Sequence, residues 1–179
     1  MIRLIVVLAA ASLAGCATLS DEECRYADWY AVGMSDGREG RLDTRLARHA
    51  EACEKHGVRP DAEAWRAGWR EGILDHCSAP GGWRVGVAGT SYNGVCPPLL
   101  EEDFMFGYRP GRALYEVRTR LDEIDARIES VEARVVDDEI EADERRDLME
   151  ELRDLQREAR ELERERALIE AEAAERKLI

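Results

Sequence analysis

The sequence has no apolar run of the ~20 residues that a membrane-spanning helix needs; the nearest approach, 4–14, falls well short. It has no surplus of positive charge either. Lys and Arg number 26 against 39 Asp and Glu, for a net charge of −13. A partner held through phosphates asks for the opposite balance, so nucleic acid is excluded and anionic headgroups are a poor charge-driven partner. The glycine-rich stretch 81–94 lacks the Gly-Lys-Ser/Thr ending of a phosphate-cradling loop. Cysteine is scarce, at five residues, and pairing leaves no free thiol for a Cys-His nucleophile. Asp28, Asp36 and Asp75 stand at no spacing to a histidine that spells hydrolysis.

What is present begins with a leader. Arg3 is followed by the apolar run 4–14, the length of a signal-peptide core. The run ends in Leu13-Ala14-Gly15-Cys16, which resembles the lipobox of bacterial lipoproteins. The resemblance implies removal of residues 1–15, thioether lipidation of Cys16 and acylation of its amino group, the palmitate-bearing anchor such proteins carry. Two or more acyl chains hold a protein stably on a membrane without any spanning helix. Ala17 in place of Asp resembles an outer-membrane address, facing the periplasm. The covalent lipid is the only added group expected; no cofactor and no metal is. Cleavage takes away Arg3 alone among the charges, which moves the net charge to −14. Residues 16–23 form a tether of at most ~28 Å up to Cys24 at about 3.5 Å per residue.

Four cysteines remain, Cys24, Cys53, Cys77 and Cys96. An even number in an exported chain reads as two disulfides, with three connectivities open. Ser20-x-x-Glu23 is a capping box that starts a helix at Asp21, expected to reach about 37–40. A second helix is expected over 42–56, with Leu42, Leu46, His49, Ala50 and Cys53 on one face. Asp61 caps a third that ends near His76. If the first two are antiparallel, Cys24 lies near Cys53, which leaves Cys77 for Cys96. The loop 78–95 then reads as an irregular glycine-rich segment, with a short hairpin around 83–87 and 91–95. His49, Cys53, His56, His76 and Cys77 hold metal-ligating atoms, but oxidised cysteines are not ligands. Trp29, Trp65, Trp69 and Trp83 could stack on a glycan, or serve as core anchors.

A motif, aromatic-x-x-Gly-x-x-x-Gly, occurs three times: Tyr30 with Gly33 and Gly37, Trp65 with Gly68 and Gly72, Phe104 with Gly107 and Gly111. A glycine inside a helix costs about 1 kcal/mol against alanine. Glycines four apart share a face and let another backbone come close. Three helices meeting through glycine faces are expected, the third kinked or restarted at Pro110. With the lipobox, Glu23-Cys24, Asp28-Trp29, Gly33-x-x-Asp36-Gly37, His49-x-x-x-Cys53, Gly68-x-x-x-Gly72, Cys77-x-x-Pro80, Gly86-x-x-Gly89-x-x-Tyr92-x-x-Val95-Cys96-Pro97 and 104–111 resemble the lipoprotein family known as domain of unknown function 2799. The resemblance spans 16 to about 117 and implies an exported lipoprotein of Gram-negative bacteria. It carries over no activity.

Beyond it, Leu114, Val117, Leu121, Ile124, Ile128, Val131 and Val135 step by threes and fours, a heptad seam. A second seam runs through Leu148, Leu152, Leu155, Ala159, Leu162, Ile169 and Ala173, with Arg166 in a core slot. The acidic stretch between them reads as a turn near 137–141, although it has neither Gly nor Pro. The expected fold is mainly α: a signal peptide (1–15), a lipidated tether (16–23), a disulfide-stapled helical domain with a glycine-rich loop (24–111), and a coiled-coil hairpin (112–179). In the hairpin, the residues from Arg166 onward pass back along the stapled domain. The expected role is structural or protein-interacting, in the envelope, with 112–179 meeting a protein partner or a second copy. The competing reading is an envelope enzyme or glycan-binding module on the Trp/His/Asp surface by the glycine loop.

Overall fold

The computed structural model describes residues 18–179; the expected leader and the expected lipidation site, Cys16, lie outside them. Helix α1, Asp21–Tyr26, starts at the capping box: Glu23 N–H donates to Ser20 Oγ at 3.3 Å and Ser20 N–H to Glu23 Oε2 at 2.7 Å. The single long helix expected here is two. Asp28 accepts from Ala31 N–H at 3.1 Å and so caps a new helix, α2, Trp29–Arg38. Then follow α3 (Arg45–Glu54), α4 (Ala62–His76), α5 (Ala79–Val87), α6 (Pro98–Val135) and α7 (Ala142–Glu175). Among the described residues there is no strand.

Helix α5 occupies the stretch read as an irregular loop and hairpin. Ser78 accepts from Gly81 N–H at 3.1 Å, and Pro80 sits in the first turn where its missing N–H costs nothing. Gly89 and Gly94, at φ +70° and +68°, are the true turn residues of the stretch.

The glycines pair helices two by two. A Cβ built on Gly33 would lie 2.0 Å from the Trp65 carbonyl oxygen, and one on Gly68 would lie 1.9 Å from that of Tyr30. Gly37 meets Trp69 O and Gly72 meets Met34 O in the same way. The contacts advance together along both helices, so α2 and α4 run parallel and in register. The pair α5 and α6 repeats this. Gly82 meets Phe104 O, Gly86 meets Tyr108 O, Gly107 meets Ala79 O and Gly111 meets Trp83 O. There are thus two parallel pairs rather than three converging helices, and a fourth copy of the motif begins at Ala79. Backbones this close leave room only for Cα–H···O contacts, each worth perhaps 0.5–1 kcal/mol.

Each pair carries one disulfide of the same kind. A cysteine ahead of the first motif is joined to one ahead of the second: Cys24 to Cys53 and Cys77 to Cys96, with Cα–Cα distances of 5.4 and 5.5 Å. The bridges close loops with sequence separations of 29 and 19, worth about 3–4 kcal/mol each in the chain-entropy account. Between the pairs sits a core of Ile73, Cys77, Cys96 and Phe104, with Tyr92 over Phe104 at 4.6 Å.

Helix α6 passes Pro110 without a restart. The carbonyl deprived of its donor is that of Phe106, whose residue is half exposed, so water can serve it. Leu114, Val117, Leu121, Ile124 and Val131 are buried along its seam, and α7 returns antiparallel over them. The turn at 136–141 manages without Gly or Pro because Arg145 reaches back across it. Its guanidinium donates to the carbonyls of Val135 and, at 2.8 Å, Asp137, which α6 leaves unpaired at its end. Arg118–Glu170, Arg120–Glu158, Arg127–Glu151 and Arg134–Glu144 tie the arms along the flanks. Exposed pairs add little energy each, but they suit one register and orientation.

The end of α7 docks on the stapled domain. Ala173 and Leu178 are buried against Trp83 and Leu114, with Ile169 beside them. Leu168 and Ile179, also expected there, are mostly exposed. Leu178 N–H donates to Ala173 O at 2.9 Å and Lys177 N–H to Ala174 O at 3.0 Å, a Schellman cap. Lys177 takes the left-handed position, φ +57°, that glycine usually fills.

Gly68→Ala decides whether the glycines are obligatory. Helix propensity alone would stabilise the variant by about 1 kcal/mol. The clash with the Tyr30 carbonyl predicts the reverse, a loss of about 2 kcal/mol or more in urea unfolding. A variant as stable as the parent would refute close backbone packing of α2 on α4.

Candidate functional site

One polar cluster is buried in the first helix pair. Asp36 precedes Gly37, so the turn that presses α2 against α4 also carries its carboxylate inside, where it is 7% exposed. Trp65, wholly buried at the head of the α4 motif, donates its indole N–H to Asp36 Oδ2 at 2.9 Å. His49, on the inner face of α3, places Nε2 2.8 Å from the same oxygen. An ionised carboxylate only accepts, so Nε2 is the donor. The other ring nitrogen, Nδ1, meets Thr18 Oγ1 at 2.8 Å. Arg45 Nε stands 3.8 Å from Asp36 Oδ1.

A buried carboxylate costs several kcal/mol unless donors and a counter-charge compensate it. Asp36 has both. The order hydroxyl, imidazole, carboxylate is that of a hydrolytic relay. Here the imidazole is 2% exposed with both nitrogens engaged. The cluster works as a clamp: it ties the segment just after the predicted anchor, through Thr18, to α2, α3 and α4 at once.

The other predicted residues fall as follows. Cys24, Cys53, Cys77 and Cys96 are consumed in the two bridges. Gly33, Gly37, Gly68, Gly72, Gly107 and Gly111 all stand at helix–helix contacts. His56 pairs with Asp21 at 3.1 Å rather than with a cysteine. Among the described residues no group of three His, Cys, Asp or Glu is placed to hold a metal. Trp65 and Trp83 are buried, while Trp29 and Trp69 are half-buried, and Trp69 N–H is spent on Arg41 O at 2.8 Å. A hydrogen bond between helices is the ordinary role of a histidine on a helix face such as His49, but the clamp as a whole was not foreseen. Its signal was an aspartate set beside a packing glycine, a place where a charge has to be buried and partnered.

His76 lies in the interface between the two pairs. Its ring stacks on Phe104 at 5.3 Å, and Nδ1 is 3.2 Å from Arg38 O. Burial penalises the charged ring and pulls its pKa below the usual histidine value, against the opposing pull of the Arg38 carbonyl. The unfolded chain therefore takes up a proton near pH ~6.5 that the folded ring resists. This contribution is complete above the unfolded value and is lost as pH falls through it toward the lower folded one. Replacing His76 by Gln keeps a donor for Arg38 O and removes the titration. Between about pH 7.5 and 5.5 the parent should lose more melting temperature than His76→Gln; parallel curves would refute the assignment.

No curated protein and no solved structure matches the chain. A family model described as "Protein of unknown function (DUF2799)" matches residues 28–113. That stretch begins at the cap of α2 and ends two residues past Gly111, so it holds both glycine-locked pairs and stops where α6 enters the hairpin. Residues 28–113 of this chain form a DUF2799 domain.

Proposed function

We propose that this chain is a lipid-anchored envelope protein with a structural or protein-interaction role. Cys16 carries the anchor, in the outer membrane facing the periplasm, and the hairpin 112–179 meets a protein partner or a second copy of the chain. The observation that carries the reading is the continuity of α6. One helix of 38 residues, about 57 Å at 1.5 Å per residue, begins inside the disulfide-locked domain and becomes the outgoing arm. The arm is therefore aimed by the domain. The clamp at Thr18 adds support from the other end, since it leaves only Ala17 between the anchor and a fixed point. The seam of the hairpin is already covered by α7, so a partner meets its outer, charged faces and its acidic tip.

The arm can be shortened without undocking its end. Removing 121–134 together with 146–159 takes two heptads from each arm and keeps the turn, its Arg145 bracket and the Leu178 contact. In-cell crosslinking followed by mass spectrometry should then lose the partners, or the homodimer, seen with the full chain. An unchanged crosslink pattern would remove the hairpin from the reading. The anchor is tested separately: palmitate labelling should disappear in Cys16→Ser, and labelling that persists would rule out lipidation at this position.

A further inference from the structure

The chain is acidic, yet one small cleft in it is lined by arginines alone among charged residues. A cavity of about 180 Å³ lies between the start of α3 and the 88–97 connection, with Arg41, Thr44, Arg45, Arg48 and Asn93 on its walls. No carboxylate lines it. By contrast, the wider groove of about 700 Å³ on the other side of Thr44 sets Asp43, Glu51 and Glu54 against Arg59 and Arg66. That groove sets three acids against two arginines; the cleft has three arginines and no acid on its walls, with Glu39 behind Arg41 and Asp36 behind Arg45.

The donors at the cleft are underused. Arg45 Nε is buried and, among the described residues, has no hydrogen-bond partner; Asp36 Oδ1 at 3.8 Å offsets its charge but lies beyond hydrogen-bond range. A buried donor left unsatisfied costs about 1–3 kcal/mol and calls for an explanation. Thr44, at the head of α3, makes no capping bond with its hydroxyl. Arg48 forms no ion pair with any described residue, and the Asn93 amide no hydrogen bond with one. Among the described residues the Arg41 side chain is held by Glu39 alone, at 3.2 Å and half exposed, a pair that a better acceptor can displace. Glu39 and Asp36 offset Arg41 and Arg45 in part, which leaves the Arg48 charge over; acids beyond ~8–10 Å are screened at ordinary ionic strength.

We propose that this cleft binds a phosphate group. Every side chain named at it offers donors, and the guanidinium fork fits an oxyanion with two parallel bonds. Phosphate presents more acceptor oxygens to those donors than a carboxylate does. Arg41, Thr44, Arg45 and Arg48 belong to the first helix pair and its connection, while Asn93 belongs to the second. A phosphate bound between them ties the two pairs together. The group can belong to a free phosphate or to the phosphodiester of a lipid headgroup. The site is independent of the hairpin's role.

The test is calorimetric titration of the full chain with three probes at matched ionic strength: inorganic phosphate, glycerophosphoglycerol as a soluble headgroup fragment, and acetate. Saturable binding of either phosphate compound, weakened at least ten-fold by Arg48→Gln and only partly by Arg48→Lys, is the expected result. The tighter of the two identifies the source. Arg48 is exposed, so its variants should melt with the parent, which separates lost binding from lost folding. Absence of binding by both phosphate compounds, acetate binding as tight as theirs, or affinity unchanged in Arg48→Gln would each overturn the proposal.

Discussion

Everything in the stapled domain follows from how closely two helix backbones approach. At Gly68 and Gly107 no side-chain atom stands between one helix and the carbonyls of the next. Such contact gives little apolar burial per residue, so a small domain built on it needs fastening elsewhere. The fastenings are two disulfides, one per pair, and the Asp36–His49–Trp65 cluster in the first pair. α3 depends on them most. It meets α1 at few points and is held chiefly by Cys53 below and His49 above.

The two pairs are variations on one plan: cysteine, motif, cysteine, motif. The first encloses a helix and a buried charge cluster in its connection, and the second encloses a short loop with Tyr92 packed on Phe104. The second pair differs also in destiny, because its last helix does not stop. The family match ends there, and the arm that follows rests on heptad packing and flanking ion pairs instead of glycine contacts. Two different physical solutions to helix pairing thus share a single helix, α6, joined near Pro110.

How much of this was legible depended on whether a signal lay in residue type or in partnership. Glycines four apart, an even set of cysteines and steps of three and four are written in the chain, and helices, bridges and hairpin follow from them. The fourth motif escaped because Ala79 stands where the other copies have an aromatic ring; the glycines were there, but their number suggested a loop. The break at Asp28 escaped because aspartate is tolerated inside a helix until its side chain finds the Ala31 amide. Pro110 misled in the opposite direction, since the cost of a missing donor depends on whether water reaches the orphaned carbonyl. The His49 clamp and the Arg145 bracket join residues far apart in the sequence or across a turn, and the one local sign is the aspartate beside the packing Gly37.

The Schellman cap at Lys177 has a mechanical consequence. With Leu178 seated against Trp83, the returning arm is fastened at its foot, as the outgoing arm is by its continuity with the domain. A pull on the tip at 136–141 therefore loads both arms along their axes and in the same direction. Helices stressed that way resist together, whereas a free-ended arm would peel off one turn at a time. The tension passes into a base closed by covalent sulfur bridges, and from there toward Thr18.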